Sequence, residues 1–351
     1  MPKTVHLGDV WPDLRGVVEQ LLDDVEVPIS TEDYMKYVRM VSDYCTGTST
    51  DSTGSGASFI GGQMYHELGN VLKARMEVLR SSLTGTMGVT LLSQYSQLWR
   101  DYQYVVQVTN SIFNYINRYW VKRQREEVEG RVETNVFTIK ELCIATWRDE
   151  LFAHIMSRLQ DALLAEIERE RNGEQIDTAL VKTVVESFVA MSFNISDPAQ
   201  VVLEMYKAAF EDAFIQATQV YYVMESSKFL TDNSCADFMK KVEVRLAEEV
   251  DRVARYLHHS TLERLTKTCE TVMVAQHIDK IQAEFPSMLT QDKQDDLRRL
   301  YNLLARIENG LGPLRDIFRN HVRDDGLARI EALNNVNDDD DDGAAAASST
   351  A

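Results

Sequence analysis

Residues 89–127 read VTLLSQYSQLWRDYQYVVQVTNSIFNYINRYWVKRQREE. Along this stretch Val105, Val108, Ile112, Tyr115, Ile116 and Tyr119 recur at three- and four-residue spacings. That is the period of one face of an α-helix. The stretch is longer than a single globular helix usually runs, so a bend or break inside it is predicted.

The same period spreads in both directions. Residues 12–24 form a first helix: Pro12 suits an early helical position, and Leu14, Val17, Val18, Leu21 and Leu22 make one stripe. Ser30 followed by Asp33 resembles a capping box opening a helix over 31–45. Residues 46–62 are rich in Gly, Ser and Thr and read as a mobile loop before a helix over 63–81. A break at 130–134 precedes helices over 138–171 (stopped by Asn172-Gly173), 177–193, 198–214 continuing to 230, and 234–260. Further helices are expected over 262–284, 291–308 and 313–322. From residue 334 the chain is low-complexity, with five Asp at 338–342, and is given no fold. No strand alternation is present. An all-α chain of amphipathic helices with short breaks reads as an α-solenoid, each unit stacked on its neighbours.

Composition agrees. The 351 residues hold only 16 Gly and 6 Pro, whereas strand-and-turn folds need frequent punctuation by both. With 44% apolar and 26% charged residues the chain can build cores of ordinary size. A net charge of -18, with Lys122-Arg123-Gln124-Arg125 as the only basic cluster, sets nucleic acid and anionic membranes aside as partners. Cys45, Cys143, Cys235 and Cys269 are too scattered for a zinc site or a disulfide framework, so a reducing compartment, cytoplasm and nucleus, is expected. No apolar run approaches the ~20 residues that span a bilayer, and the start of the chain lacks a signal pattern.

Chemistry finds little to work with. His258 and His259 are adjacent, so on a helix they point about 100° apart and cannot share a third ligand. Gly61-Gly62 lacks the strand and Lys of a phosphate cradle. No nucleophile elbow, zinc-helix or dinucleotide signature occurs. The expectation is a chain without catalytic residues, metal or cofactor.

Six blocks in order resemble the cullin family, nearest the class that scaffolds Skp–F-box ligases. They are Tyr34-Met35 with Asp43-Tyr44-Cys45; Leu98-Trp99-Arg100-Asp101-Tyr102 with Asn114 through Val121; Thr146-Trp147-Arg148-Asp149 with Leu151-Phe152; Ile167 through Glu174; Met239-Lys240-Lys241 with Arg245-Leu246, Glu248-Glu249 and Arg255 through His258; and Tyr301-Asn302-Leu303 with Arg306-Ile307 and Gly310-Leu311-Gly312. The resemblance implies an elongated α-solenoid of five-helix cullin repeats. Repeat 1 would take 7–129, repeat 2 130–259 and an incomplete repeat 3 260–333, with 334–351 a disordered acidic and Ala/Ser tail. In that family the tip of repeat 1 holds an adaptor carrying the substrate receptor. The C-terminal half holds the RING subunit and the lysine modified by an activating ubiquitin-like protein. No winged-helix segment or acceptor-lysine region follows Leu333, so the expectation is a chain that binds an adaptor without recruiting a RING subunit.

By matching position, the resemblance implies adaptor contacts at Tyr34, Met35, Val108, Ile112 and Tyr115, with Val38, Val41 and Val105 beside them. Spacing alone favours the other reading, that both stripes face the core. Val38 stands where the resembling class usually has an aromatic residue. Trp99, Trp120 and Trp147 are expected in the core. Arg100-Asp101 and Arg148-Asp149 are expected as ion pairs at helix ends. The function implied is a non-catalytic scaffold module of a cullin-RING ubiquitin ligase of the SCF type, serving ubiquitin-dependent protein degradation. Its partners would be a Skp-type adaptor, F-box proteins and the cullin exchange factor. Two rivals are a truncated competitor of the full-length scaffold and a helical subunit of a tethering complex; the latter shares the solenoid pattern but not the six blocks.

Overall fold

The expected break falls at Phe113. The computed structural model describes residues 5–46, 60–127, 136–194 and 202–346. The first helices are α1 Leu7–Asp23, α2 Thr31–Thr46, α3 Ile60–Ser82 and α4 Gly88–Ile112. Phe113 then leaves helical geometry at φ -91°, ψ 13°. The chain resumes as the single turn α5 Asn114–Ile116, a π-helical turn Asn117–Val121 and α6 Lys122–Glu127. Asn117 clamps this junction: its Nδ2 donates to Asn110 Oδ1 (3.0 Å) and its Oδ1 accepts from the Ile139 amide (2.8 Å).

The second series is α7 Ile139–Thr146, a π-helical turn Trp147–Phe152, α8 Ala153–Arg171, α9 Thr178–Ala190, α10 Glu204–Tyr206, a π-helical turn Lys207–Glu211, and α11 Asp212–Asp232. Then follow α12 Cys235–Tyr256, α13 Thr261–Met273, a 3-10 turn Ala275–His277, α14 Ile278–Ala283, α15 Phe285–Thr290, α16 Gln294–Leu304 and α17 Gly312–Ala346. No strand occurs among the described residues.

Local chemistry sets the ends. Thr138 and Glu141 form a reciprocal capping box on α7. Asp177 caps α9 through the Leu180 amide (3.0 Å). The predicted stop at Asn172-Gly173 is a left-handed cap: Gly173 takes φ +90°, and the Glu174 amide reaches back to the Arg169 carbonyl (3.0 Å).

Several boundaries differ from the sequence reading. Helix α1 starts at Leu7, so Pro12 sits inside it. The ring leaves the Gly8 carbonyl without its usual amide partner, a loss tolerated so near a helix start. Helix α3 starts at Ile60, which puts Gly61 and Gly62 in a helix rather than a loop. Residues 47–59, the break at 130–134 and the expected start at 198 lie outside the described residues. Helix α12 ends at Tyr256, so His258 and His259 are not helical. The argument from a 100° helical offset does not apply to them, and the His258 ring lies 5.7 Å from Tyr206 instead. Helix α17 carries backbone helix through the acidic run to Ala346.

Contacts divide the chain into two units. The first takes the described residues of Met1–Phe214 with Arg255–His258, and the second those of Ile215–Ala254 with His259–Ala351. In the first, α4 packs against α7, α8 and α9 around Trp147, which is fully buried. Tyr102 stacks on Trp147 at 4.8 Å, and Trp99 and Tyr95 lie at 5.3 and 5.7 Å. The polar tips of these rings are satisfied. Trp147 Nε1 donates to Tyr95 Oη (3.3 Å), Tyr95 shares a hydrogen bond with Ser187 Oγ (3.0 Å), and Tyr102 donates to the Cys143 carbonyl (2.8 Å). Burial pushes the Tyr95 phenol up to about 12. Trp99 and Trp147 are thus core, whereas Trp120 is half-buried. Arg148 and Asp149 pair at 2.8 Å, but Arg100 and Asp101 do not bond directly: Gln97 stands between them, accepting from Arg100 (2.9 Å) and donating to Asp101 (2.8 Å).

In the second unit a buried ion pair joins Arg252 and Glu249 (2.5 Å), and Tyr222 donates to the same carboxylate. Arg245 bridges Glu225 of α11 and Glu248 of α12, and Arg299 of α16 reaches Glu243 of α12 (3.0 Å). Arg245 and Arg299 thereby tie neighbouring helices together, whereas the Arg252–Glu249 pair lies within α12.

Candidate functional site

Helix α2 is seated before it can present anything. Ser30 caps it, accepting from the Asp33 amide (3.0 Å) while its hydroxyl donates to the Asp33 carboxylate (2.7 Å). Lys36 pairs with Asp13 of α1 (3.1 Å). The helix packs against α1, α3, α4 and α5. Val41 and Tyr44 supply the buried side.

The eight residues expected at an interface separate into two groups. Tyr34 and Val38 are half-buried, and Met35 is 53% exposed. Val41, three positions beyond Val38, is completely buried. The α2 stripe therefore emerges from the core toward its N-terminal end. On the second stripe Val105 and Ile112 are 1% and 0% exposed, while Val108 and Tyr115 are half-buried. The spacing explains the split. Residues seven apart fall almost in line on a helix, so 105 and 112 of α4 form one row and 108 starts a second about 60° around; Tyr115 stands beyond the break at Phe113. The inner row fills the core and the outer row borders solvent. Val41, Val105 and Ile112 are therefore corrected from contact residues to core residues, because neighbouring helices already cover them.

Tyr115 is not alone. Its ring stacks on Tyr119 at 5.7 Å with 16° between planes, and Tyr119 is 55% exposed. Tyr119 was legible on the same stripe, one turn beyond Tyr115, yet did not stand out as a site residue by spacing. Helix α2, which carries Tyr34, Met35 and Val38, packs against both α4, which carries Val108, and α5, which carries Tyr115. The result is an apolar, aromatic face on well-filled helices.

The face is braced from behind by Trp120. Its ring lies on Gly61 and Gly62 and 4.7 Å from the Tyr65 ring. Tyr65 Oη accepts from the Phe137 amide (3.2 Å). The basic cluster at 122–125 is partly used internally: Arg125 pairs with Glu141 (2.5 Å) and donates to the Val136 carbonyl (2.9 Å). All four cysteines are free thiols, and burial pushes Cys45 and Cys143 up to about 12, which keeps them protonated and unreactive at neutral pH. Among the described residues no group of three or more His, Cys, Asp or Glu side chains could hold a metal, and no helix is long and apolar enough to cross a membrane.

The sequence matches the family model of the cullin alpha solenoid domain over residues 11–348. The chain belongs to the cullin family. It is 38% identical to Cullin-1 of Dictyostelium discoideum over 340 residues, covering 94% of this chain and 44% of that protein. It is 33% identical to Cullin-1 of Schizosaccharomyces pombe over 330 residues (92% and 42%) and 30% identical to Cullin-1 of Caenorhabditis elegans over 347 residues (91% and 44%). This cullin chain thus spans less than half the length of these three relatives. The helical architecture is the all-α solenoid class that the six sequence blocks implied.

Proposed function

We propose that this cullin chain is a non-catalytic scaffold arm of an SCF-type cullin-RING ubiquitin ligase, acting in the cytoplasm and nucleus. Its face of Tyr34, Met35, Val38, Val108 and Tyr115, extended by Tyr119, receives a Skp-type adaptor with its F-box substrate receptor. The supporting observation is the Tyr115–Tyr119 stack, with Tyr119 exposed, together with exposed Met35 on α2, which packs against α4 and α5: large apolar groups held at the surface of helices whose inner residues already fill a core. Aromatic anchors of this kind carry most of the energy at protein interfaces. The likeness to three Cullin-1 proteins supports the SCF type. Repeat bounds of 7–129, 130–259 and 260–333 belong to the same proposal, as does engagement of the cullin exchange factor. A RING subunit would bind the part of a cullin that lies beyond this region. The arm acts by positioning: holding the receptor at a set distance raises the effective concentration of substrate near the ubiquitin donor.

The test is adaptor binding by the Tyr34→Ala, Tyr115→Ala double variant. Truncating one anchor costs roughly 2 kcal/mol, or about 30-fold in affinity. The double variant should lose measurable co-purification of a Skp-type adaptor while its circular dichroism stays helical. Wild-type binding by the double variant refutes the site.

A further inference from the structure

We infer that the partner surface seated on this face carries a carboxylate directed at Arg118; the inference rests on the proposed site. Arg118 lies next to Tyr119 in sequence and one helical turn from Tyr115. It is exposed and forms no ion pair among the described residues. A surface that covers the Tyr115–Tyr119 stack also approaches Arg118, which is one turn from Tyr115 and exposed. Burying an unpaired guanidinium is strongly unfavourable, so a purely apolar partner would bind poorly here. A carboxylate offers the planar two-point pairing that a guanidinium's geometry matches.

The surrounding charges place the acid on one side of the face. Residues 113–127 carry Arg118, Lys122, Arg123 and Arg125 against Glu126 and Glu127, which follow at the far end of α6. Arg125 is committed to Glu141, and Lys122 and Arg123 have interactions of their own. Across the face, α2 is balanced. Lys36 is paired with Asp13, Asp33 is held by the Ser30 cap, and exposed Arg39 has Asp43 one turn along and Glu32 on the same helix. The excess positive charge therefore sits at the Tyr119 end. It stands against a whole-chain charge of -18, which repels an acidic partner at long range. A local basic end inside a repulsive field selects orientation: the acidic patch can approach this edge and no other part of the face.

The experiment measures association and dissociation of a purified Skp-type adaptor with bound F-box protein, at low and high ionic strength. It compares the wild-type chain with Arg118→Ala, Arg118→Lys and Arg118→Glu, and with the Tyr34, Tyr115 double variant. Arg118→Ala should weaken binding about 30-fold, mostly through faster dissociation, and Arg118→Glu more. Arg118→Lys should recover part of the loss. Raising salt should weaken the wild type more than Arg118→Ala. All three Arg118 variants should unfold at the wild-type midpoint, since the side chain pairs with none of the described residues. Wild-type affinity in Arg118→Glu, with binding lost in the tyrosine double variant, overturns this inference and leaves the site standing. Unchanged binding in both overturns the site itself.

Discussion

Gly61→Ala and Gly69→Ala are the same chemical change on one helix, and the structure predicts opposite signs. A Cβ at Gly61 would stand 2.6 Å from Trp120 Cβ and 2.9 Å from its Cγ, whereas one at Gly69 meets nothing within 4 Å. Carbon atoms rest at roughly 3.5–4.0 Å, so Trp120 must recede by about 1 Å. Trp120 Cβ is bonded to the backbone, so no rotamer change relieves the overlap. The π-helical turn Asn117–Val121 has to shift away from α3. Such overpacking costs ~1–3 kcal/mol. Replacing Gly by Ala in a helix interior returns about 1 kcal/mol, and less at the second residue of α3 than at Gly69. Gly61→Ala should therefore destabilise the protein by about 1–2 kcal/mol, and Gly69→Ala should stabilise it by up to ~1 kcal/mol. Urea unfolding followed by far-ultraviolet circular dichroism and tryptophan fluorescence reads both. Because Trp120 follows Tyr119, Gly61→Ala should also weaken adaptor binding and Gly69→Ala should not. A Gly61→Ala protein as stable as Gly69→Ala would refute the close approach of α3 and Trp120.

Two further outcomes follow from single side chains. Asn117→Leu removes the bond to Asn110 and leaves the Ile139 amide without its acceptor, a loss of about 1–3 kcal/mol; Asn117→Asp keeps an acceptor at the start of α7 and should lose less, so equal urea midpoints for the two variants would contradict the clamp. His277 is held below its ordinary pKa by burial, with Lys280 adding to the effect, and its Nε2 is buried with no hydrogen-bond partner. The unfolded chain takes up this proton near pH ~6.5 and the folded chain only at lower pH, so stability should fall as pH drops below about 6.5. His277→Phe should flatten that part of the profile, and an unaltered slope would show that His277 does not contribute.

Much of the helix order was legible because period and caps are local. The Ser30 cap and the Gly173 stop needed only neighbours three to five residues away; the stop forms as read, and Ser30 caps α2 with the Asp33 carboxylate meeting its hydroxyl rather than its amide. The break in residues 89–127 was expected from length alone. Its position at Phe113 was not, because the clamp that fixes it reaches from Asn117 to Ile139, across residues far apart in sequence. Gly61-Gly62 misled for the same reason: beside a Gly/Ser/Thr-rich run they resembled loop, but they serve the approach of Trp120 from another helix. Arg100-Asp101 looked like a pair by adjacency, yet Gln97, three and four positions away, meets both, whereas the equally adjacent Arg148 and Asp149 do pair.

The apolar period of α2 and α4, and with it an all-α chain of the cullin class, is written in the order of residues, since each helix needs only its own stripe to be recognised. Which members of a stripe fill the core and which meet a partner is not. Val105 and Val108 are chemically identical and one turn apart, yet one is buried and the other borders solvent. What separates them is how far the neighbouring helices extend over the stripe, a quantity that exists only once α1, α2, α7, α8 and α9 have packed around α4.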